Sequence, residues 1–144
     1  MKANPLFIRS AGLAGAILAL SLLSSCSTAR KPGGDDLSSY KVASSQTGKA
    51  SHYSIRTNRG TRTASGRPLR DDEATAAHRK LPMGTKVLVK NIANGKSELV
   101  TITDRGPYVR GRIIDVTIGV ARRLGFVGQG VAPVELKVME KKKS

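Results

Sequence analysis

Apolar and polar positions alternate over Lys86-Val-Leu-Val-Lys-Asn-Ile92 and Ser97-Glu-Leu-Val-Thr-Ile-Thr103, the period of half-buried strands. Between them, Ala93-Asn-Gly-Lys96 carries an Asn-Gly pair, whose tolerance of positive φ makes it a strong hairpin signal. Further strands are predicted at Lys49-Ala-Ser-His-Tyr53, Arg112-Ile-Ile-Asp-Val116 and Pro133-Val-Glu-Leu-Lys-Val-Met139. One helix is predicted behind Thr117 as N-cap, with Ile118, Val120, Ala121 and Leu124 at helical spacing and Gly125 ending it. Ser54 to Gly66 reads as a polar, glycine-containing loop. A few short strands, one short helix and several glycine turns define a small β-barrel class, without fixing its topology.

The N-terminal stretch has a different pattern. Lys2 and Arg9 precede an uncharged apolar run from Ala11 to Leu23, shorter than the roughly 20 residues of a membrane-spanning helix but suited to a secretory signal. It ends in Leu23-Ser-Ser-Cys26, which resembles a bacterial lipobox, with Cys26 the chain's one cysteine and the expected lipidation site. Residues 1–25 are read as a lipoprotein signal peptide and 26–46, rich in Ser, Gly, Lys and Asp, as the lipidated N-terminus and a flexible tether. Residues 47–140 are expected to form the barrel domain and 141–144 a basic tail. Ser27 after the cysteine favours the outer membrane, so the expected location is the bacterial envelope, anchored on the periplasmic face of that membrane.

Charge then changes its meaning. The chain carries a net charge of +15, which in a cytosolic protein would suggest nucleic acid. Export removes that partner, and lipid headgroups or the cell-wall polymer become the counter-ions.

Candidate chemistry centres on Thr101-Ile-Thr-Asp-Arg-Gly-Pro107. Val100 and Ile102 share a strand face, and the period of two places Asp104 on that face at the strand's end. A carboxylate there suits acid/base work. It equally suits an Asp that accepts N–H bonds within its own turn. His78, ahead of Leu81-Pro82, reads either as a functional histidine or as one capping a turn. Asp115 stands where it could position the helix start, and Asp71, Asp72 and Glu73 read as ordinary loop charges. Two histidines and one lipidated cysteine do not make a zinc set without several carboxylates. Gly125-Phe-Val-Gly-Gln-Gly130 follows a helix rather than a strand, so it is no phosphate-binding loop. No cofactor and no metal are expected.

Taken in order, Gly48-Lys-Ala-Ser-His-Tyr53, Thr63-Ala-Ser-Gly66, Thr75-Ala-Ala-His78, Leu81-Pro-Met-Gly84 and Asn91-Ile-Ala-Asn-Gly95 resemble the rare lipoprotein A family. Asp104-Arg-Gly-Pro107, Arg112-Ile-Ile-Asp115 and Leu124-Gly125 continue the resemblance, which covers residues 48–139. It implies a mainly β fold, a small six-stranded double-psi β-barrel with one or two short helices, similar to those of expansins and barwin. It also implies a peptidoglycan lytic transglycosylase, cutting between N-acetylmuramic acid and N-acetylglucosamine to leave 1,6-anhydro ends. On that reading Asp104 is the acid/base and His78 its orienting or charge-tuning partner. Tyr53, Thr63, Arg67, Arg105, Tyr108 and Asp115 are expected to bind substrate. The expected partners are glycan strands and the membrane, through the anchor on Cys26.

Two departures support an alternative. Active relatives carry a glutamate where Arg67 stands, and the family's Trp-Tyr-Gly is His52-Tyr53-Ser54 here. A guanidinium in place of a carboxylate inverts the local charge; Asp71, Asp72 or Glu73 in the same loop could substitute, but their spacing differs and they read as ordinary loop charges. The alternative is a non-catalytic, expansin-like lipoprotein that holds glycan without cutting it. The chain also stops soon after Met139, without the C-terminal sporulation-related repeat of many relatives.

Overall fold

The computed structural model describes residues 35–58 and 61–143. The stretch read as a signal peptide, and Cys26, lie outside them.

Six strands close into a barrel in the order β1-β5-β2-β4-β3-β6. They are β1 (Tyr40–Tyr53), β2 (Thr75–Ala77), β3 (Lys86–Asn91), β4 (Ser97–Asp104), β5 (Arg112–Thr117) and β6 (Val131–Lys141), with one α-helix, α1 (Ile118–Arg123), and a 3-10 turn at Leu37–Ser39. β1 runs parallel to β5 and β2 parallel to β4, while every other pairing is antiparallel. Alternating side chains from all six strands fill the interior. Ala50, Ala76, Val87, Val89, Val100, Ile102, Ile114, Val116, Val134 and Leu136 pack there with Leu124 and Phe126.

The expected hairpin is β3–β4, paired from Lys86↔Thr101 to Lys90↔Ser97. Asn94 does more than permit its turn: with buried Asn91, it donates its side-chain amide to Leu124 O at 2.9 and 3.0 Å respectively. That carbonyl is left free at the helix end, so the hairpin caps α1. The helix itself stops as predicted, with Gly125 at φ 75°. Phe126 N–H donates to Ala121 O and Gly125 N–H to Arg122 O, the paired bonds that close a helix through a left-handed residue.

Three expectations change. β1 begins at Tyr40, inside the stretch read as tether, and pairs with β6 from Tyr40↔Lys141 onward. Its residues from Lys41 to Ser45 are solvated on both faces, so no apolar alternation marks them. Thr75–Ala77 forms a strand although its three residues are all buried and too few to show a period. Thr117 occupies the N-cap position of α1 but makes no capping bond, its hydroxyl donating instead to Glu73 O at 2.6 Å. Asp115 likewise turns away from the helix, as shown below.

Candidate functional site

The register across four neighbouring strands sorts side chains into two faces. Ala50, Ile114, Val116, Ala76 and Ile102 turn inward. Ser51 pairs with Asp115, Tyr53 with Thr117, and Ala77 with both Asp115 and Asp104. Partners in a ladder share a face, so Ser51, Tyr53, Asp115, Thr117, Thr75 and Asp104 line one polar face opposite the core.

Asp104 reaches that face through an irregularity. The β2–β4 register shifts between Ala76 and Ala77, pairing Ala76 with Ile102 but Ala77 with Asp104. The extra residue, Thr103, is a β-bulge, and a bulge re-aims the side chain that follows it. Asp104 therefore leaves the Val100–Ile102 face that simple alternation assigns it. Its Oδ1 accepts the N–H of Ala64 at 2.9 Å and of Arg105 at 2.8 Å, while Oδ2 has no hydrogen-bond partner among the described residues. The turn-Asp reading is seen on Oδ1, and Oδ2 is left open on the polar face.

Asp115 faces Asp104 across the methyl of Ala77. Strands stand about 4.8 Å apart, so the two backbones are separated by roughly 10 Å, and two acidic side chains project over that gap. The Asp115 carboxyl accepts the Ser51 hydroxyl, and its Oδ2 lies 4.0 Å from where a Cβ on Gly106 would sit. Burial raises its pKa above the usual Asp value, offset in part by the Ser51 bond, Arg112 and His52.

Tyr53 lies beside both. Its hydroxyl is buried without a hydrogen-bond partner. Burial pushes its pKa up to about 12, and the charges of Asp104, Asp115 and Glu73 add to the shift. A buried phenol without a partner costs free energy, and the Thr75 side chain offsets part of the upward shift.

The loop from Thr61 to Glu73 covers this face. Thr63 is buried, its hydroxyl bonded to Ser65 Oγ and to Arg67 O. These bonds tie the loop's own turn. Arg67 is half-exposed and pairs with Glu73 at 3.7 Å. Asp71 Oδ1 accepts the N–H of Ile55 at 2.7 Å. Of the three acids read as ordinary loop charges, Glu73 is the one whose charge bears on Tyr53.

His78 is not brought to the Asp104 carboxylate. Its Nδ1 accepts the N–H groups of Lys80 and Leu81 at 3.1 and 3.0 Å, capping the turn, and its Nε2 lies 3.1 Å from the side-chain nitrogen of Gln46. The imidazole lines a small pocket of about 150 Å³ with Gln46, Arg79, Lys80 and Ile113. Burial first, then Arg79 and Arg105, hold its pKa below the ordinary value. Coupling to Asp104 is through the backbone: His78 N–H donates to Asp104 O at 3.1 Å. Arg105 Nη1 donates to His78 O and Leu81 O at 3.1 and 2.9 Å, so this guanidinium staples the His78 loop to the end of β4. Tyr108 is 78% exposed beyond the turn, its ring open to solvent. A larger cavity of about 550 Å³, lined by Tyr40, Leu81, Pro82, Lys86 and Met139 among others, contains none of the site carboxylates.

Sequence reasoning missed Ser51 and Gln46 as members of these clusters and set Glu73 aside as a loop charge. Ser51 shares the period-two face of Tyr53, which is its one signal. Glu73 and Gln46 have none, because the contacts that define them are made by distant segments.

These features define a double-psi β-barrel carrying a carboxylate-rich polar face. A family model described as "Lytic transglycolase" matches residues 45–136. The chain belongs to that family, within the rare lipoprotein A group. The "Probable endolytic peptidoglycan transglycosylase RlpA" of Nostoc sp. (strain PCC 7120 / SAG 25.82 / UTEX 2576) is 52% identical over 80 residues, which are 56% of this chain and 22% of that protein. The "Endolytic peptidoglycan transglycosylase RlpA" of Pasteurella multocida (strain Pm70) is 43% identical over 93 residues, 65% of this chain and 31% of that protein. The chain thus spans about a quarter to a third of these relatives' length. Among solved structures, the apo expansin of Clavibacter michiganensis superposes with a TM-score of 0.55 at 19% identity, covering 70% of this chain and 53% of that one. The Streptomyces papain inhibitor superposes at 0.54 and 21%, covering 67% and 96%. At such identities the two structures define the fold alone.

Proposed function

We propose that this barrel is a peptidoglycan lytic transglycosylase of the bacterial envelope, cutting the bond from N-acetylmuramic acid to N-acetylglucosamine. The supporting observation is the Asp104 carboxyl, one oxygen fixed by two N–H groups and the other open on a polar face it shares with Asp115 and Tyr53. Membership of the lytic transglycolase family agrees with it. In the proposed reaction Asp104 gives its proton to the bridging oxygen as the bond from that oxygen to C1 of the muramic acid breaks. The C6 hydroxyl of the same sugar then attacks C1, and its proton returns to Asp104. Water takes no part, so no second carboxylate is required as nucleophile or base. Tyr53, Asp115 and Tyr108 bind the sugars around the cut, and Thr63, Arg67, Arg105 and His78 hold the loops that carry these groups. Cys26 anchors the chain to the outer membrane through lipid.

The test incubates the full chain, solubilised in detergent, with intact sacculi and with peptide-free glycan strands, and searches the products by mass spectrometry for 1,6-anhydro ends. Asp104→Asn keeps an oxygen for the two N–H bonds, so it is expected to fold and to lower the rate at least about 100-fold. A wild-type protein that pellets with sacculi and releases no anhydro ends would replace this reading by that of a glycan-binding lipoprotein. The Arg67–Glu73 pair at the rim, with no free carboxylate at position 67, is the feature that favours that second reading.

A further inference from the structure

We infer that Glu73 is the second functional carboxylate of the site, held there by Arg67, and that it bears on the positive charge that develops on the sugar. The inference rests on the transglycosylase reading for its chemistry, but not for its geometry.

Three independent contacts fix where Glu73 stands. Its carbonyl accepts the Thr117 hydroxyl at 2.6 Å and the Thr75 N–H at 2.9 Å, which ties its backbone to the ends of β5 and β2. Thr117 pairs with Tyr53 in the β1–β5 ladder, so Glu73 stands at the Tyr53 end of the polar face. Its side chain, one-third exposed, is met by Arg67 at 3.7 Å. Asp71, two residues earlier, is tied to Ile55 N–H and turned elsewhere.

The charge balance gives this placement its function. Breaking a glycosidic bond with proton transfer to the leaving oxygen leaves positive charge spread over C1 and the ring oxygen. Arg67 on the rim would oppose that charge if it stood alone. Paired with Glu73, it is neutralised and becomes a clamp, restricting a carboxylate that an exposed loop would otherwise leave to many rotamers. Arg67 is then a positioning residue, and Glu73 the group that faces the sugar. Tyr53 and Asp115 share the polar face, Asp104 joins it across Ala77, and the Glu73 charge is felt at the Tyr53 hydroxyl.

Two measurements on the full chain test this. The first needs no turnover: the Tyr53 hydroxyl is titrated by NMR with labelled tyrosine. Glu73→Gln is expected to lower its midpoint, because a negative neighbour is lost and Arg67 is freed, while Asp72→Asn leaves it in place. An unchanged midpoint in Glu73→Gln overturns the inference whatever the activity. The second compares anhydro-product kinetics. Glu73→Gln is expected to lower kcat by at least about 30-fold with KM changed less than about threefold, and Arg67→Glu/Glu73→Arg to recover part of what Glu73→Arg loses. Retained kcat in Glu73→Gln, or a loss confined to KM or to thermal stability, also overturns it. A silent wild type that keeps the Tyr53 shift counts against the transglycosylase reading and leaves the placement of Glu73 standing.

Discussion

His78 shows how one side chain is defined by what its two nitrogens do. Nδ1 accepts two backbone N–H groups and Nε2 faces Gln46, an arrangement that requires the neutral ring. Burial, Arg79 and Arg105 all disfavour protonation, and the pKa falls below 6.5. The unfolded chain carries a histidine of ordinary pKa, so below that value it binds more protons than the folded state does. The stability His78 supplies is therefore fully present above about pH 6.5 and is lost as pH falls from there through the lower, folded value. Urea unfolding from about pH 5 to about pH 7.5 is expected to show that slope, and His78→Gln, neutral throughout and able to accept an N–H, should flatten it. Unaltered slope in the variant would place the titration on another group. Asp104 holds the fold through Oδ1, and the proposed reaction assigns the chemistry to Oδ2, which is why Asn is the informative replacement and Ala is not.

At the scale of elements, the site depends on how the 61–73 loop is pinned. Gly119, the second residue of α1, donates its N–H to Asp71 O at 2.8 Å, and a Cβ there would stand 2.5 Å from that same oxygen. The obstacle is backbone and cannot rotate away. Gly119→Ala is expected to cost about 1–3 kcal/mol in urea unfolding and to reduce product formation as Asp71 to Glu73 shifts, whereas Gly128→Ala, with nothing near its Cβ, should do neither. Nothing in the sequence announces that contact. What could be read was what repeats locally: the β3–β4 alternation, the Asn94–Gly95 turn and the Gly125 stop each follow from a few adjacent residues. The first half of β1 could not be read, because solvent bathes both of its faces and its order comes from β6. The bulge at Thr103 was equally invisible, since an extra residue in β4 exists only relative to β2. That one residue decides which face Asp104 occupies, so periodicity found the candidate and misplaced it. Glu73 reads as a loop charge for the same reason, its role depending on Thr117 and Arg67 rather than on its neighbours in sequence.

Over the whole molecule, a chain of net charge +15 carries a site built of carboxylates, and the two signs are segregated along β5. Arg112 opens that strand and Asp115 lies three residues on, with Lys49 paired to Arg112 and Arg79 donating to Arg112 O. A polymer bearing carboxylates would meet cations at one end of the polar face and lay its sugars toward the acids at the other. Such attraction between exposed groups is long-ranged only at low salt, its reach shrinking from about 10 Å at 0.1 M to about 3 Å at 1 M. Binding to sacculi, followed by pelleting, is therefore expected to weaken several-fold between those concentrations. Arg79→Gln/Arg112→Gln should weaken it at the lower salt and have little effect at the higher. On the proposed reading, the rate of cleavage at saturating substrate should be nearly independent of salt, because Asp104 and Glu73 would act at contact distance where screening is slight. A rate that fell in step with binding would mean that the cations hold the reacting sugars themselves, and the division of β5 into a capturing end and a cutting end would have to be abandoned.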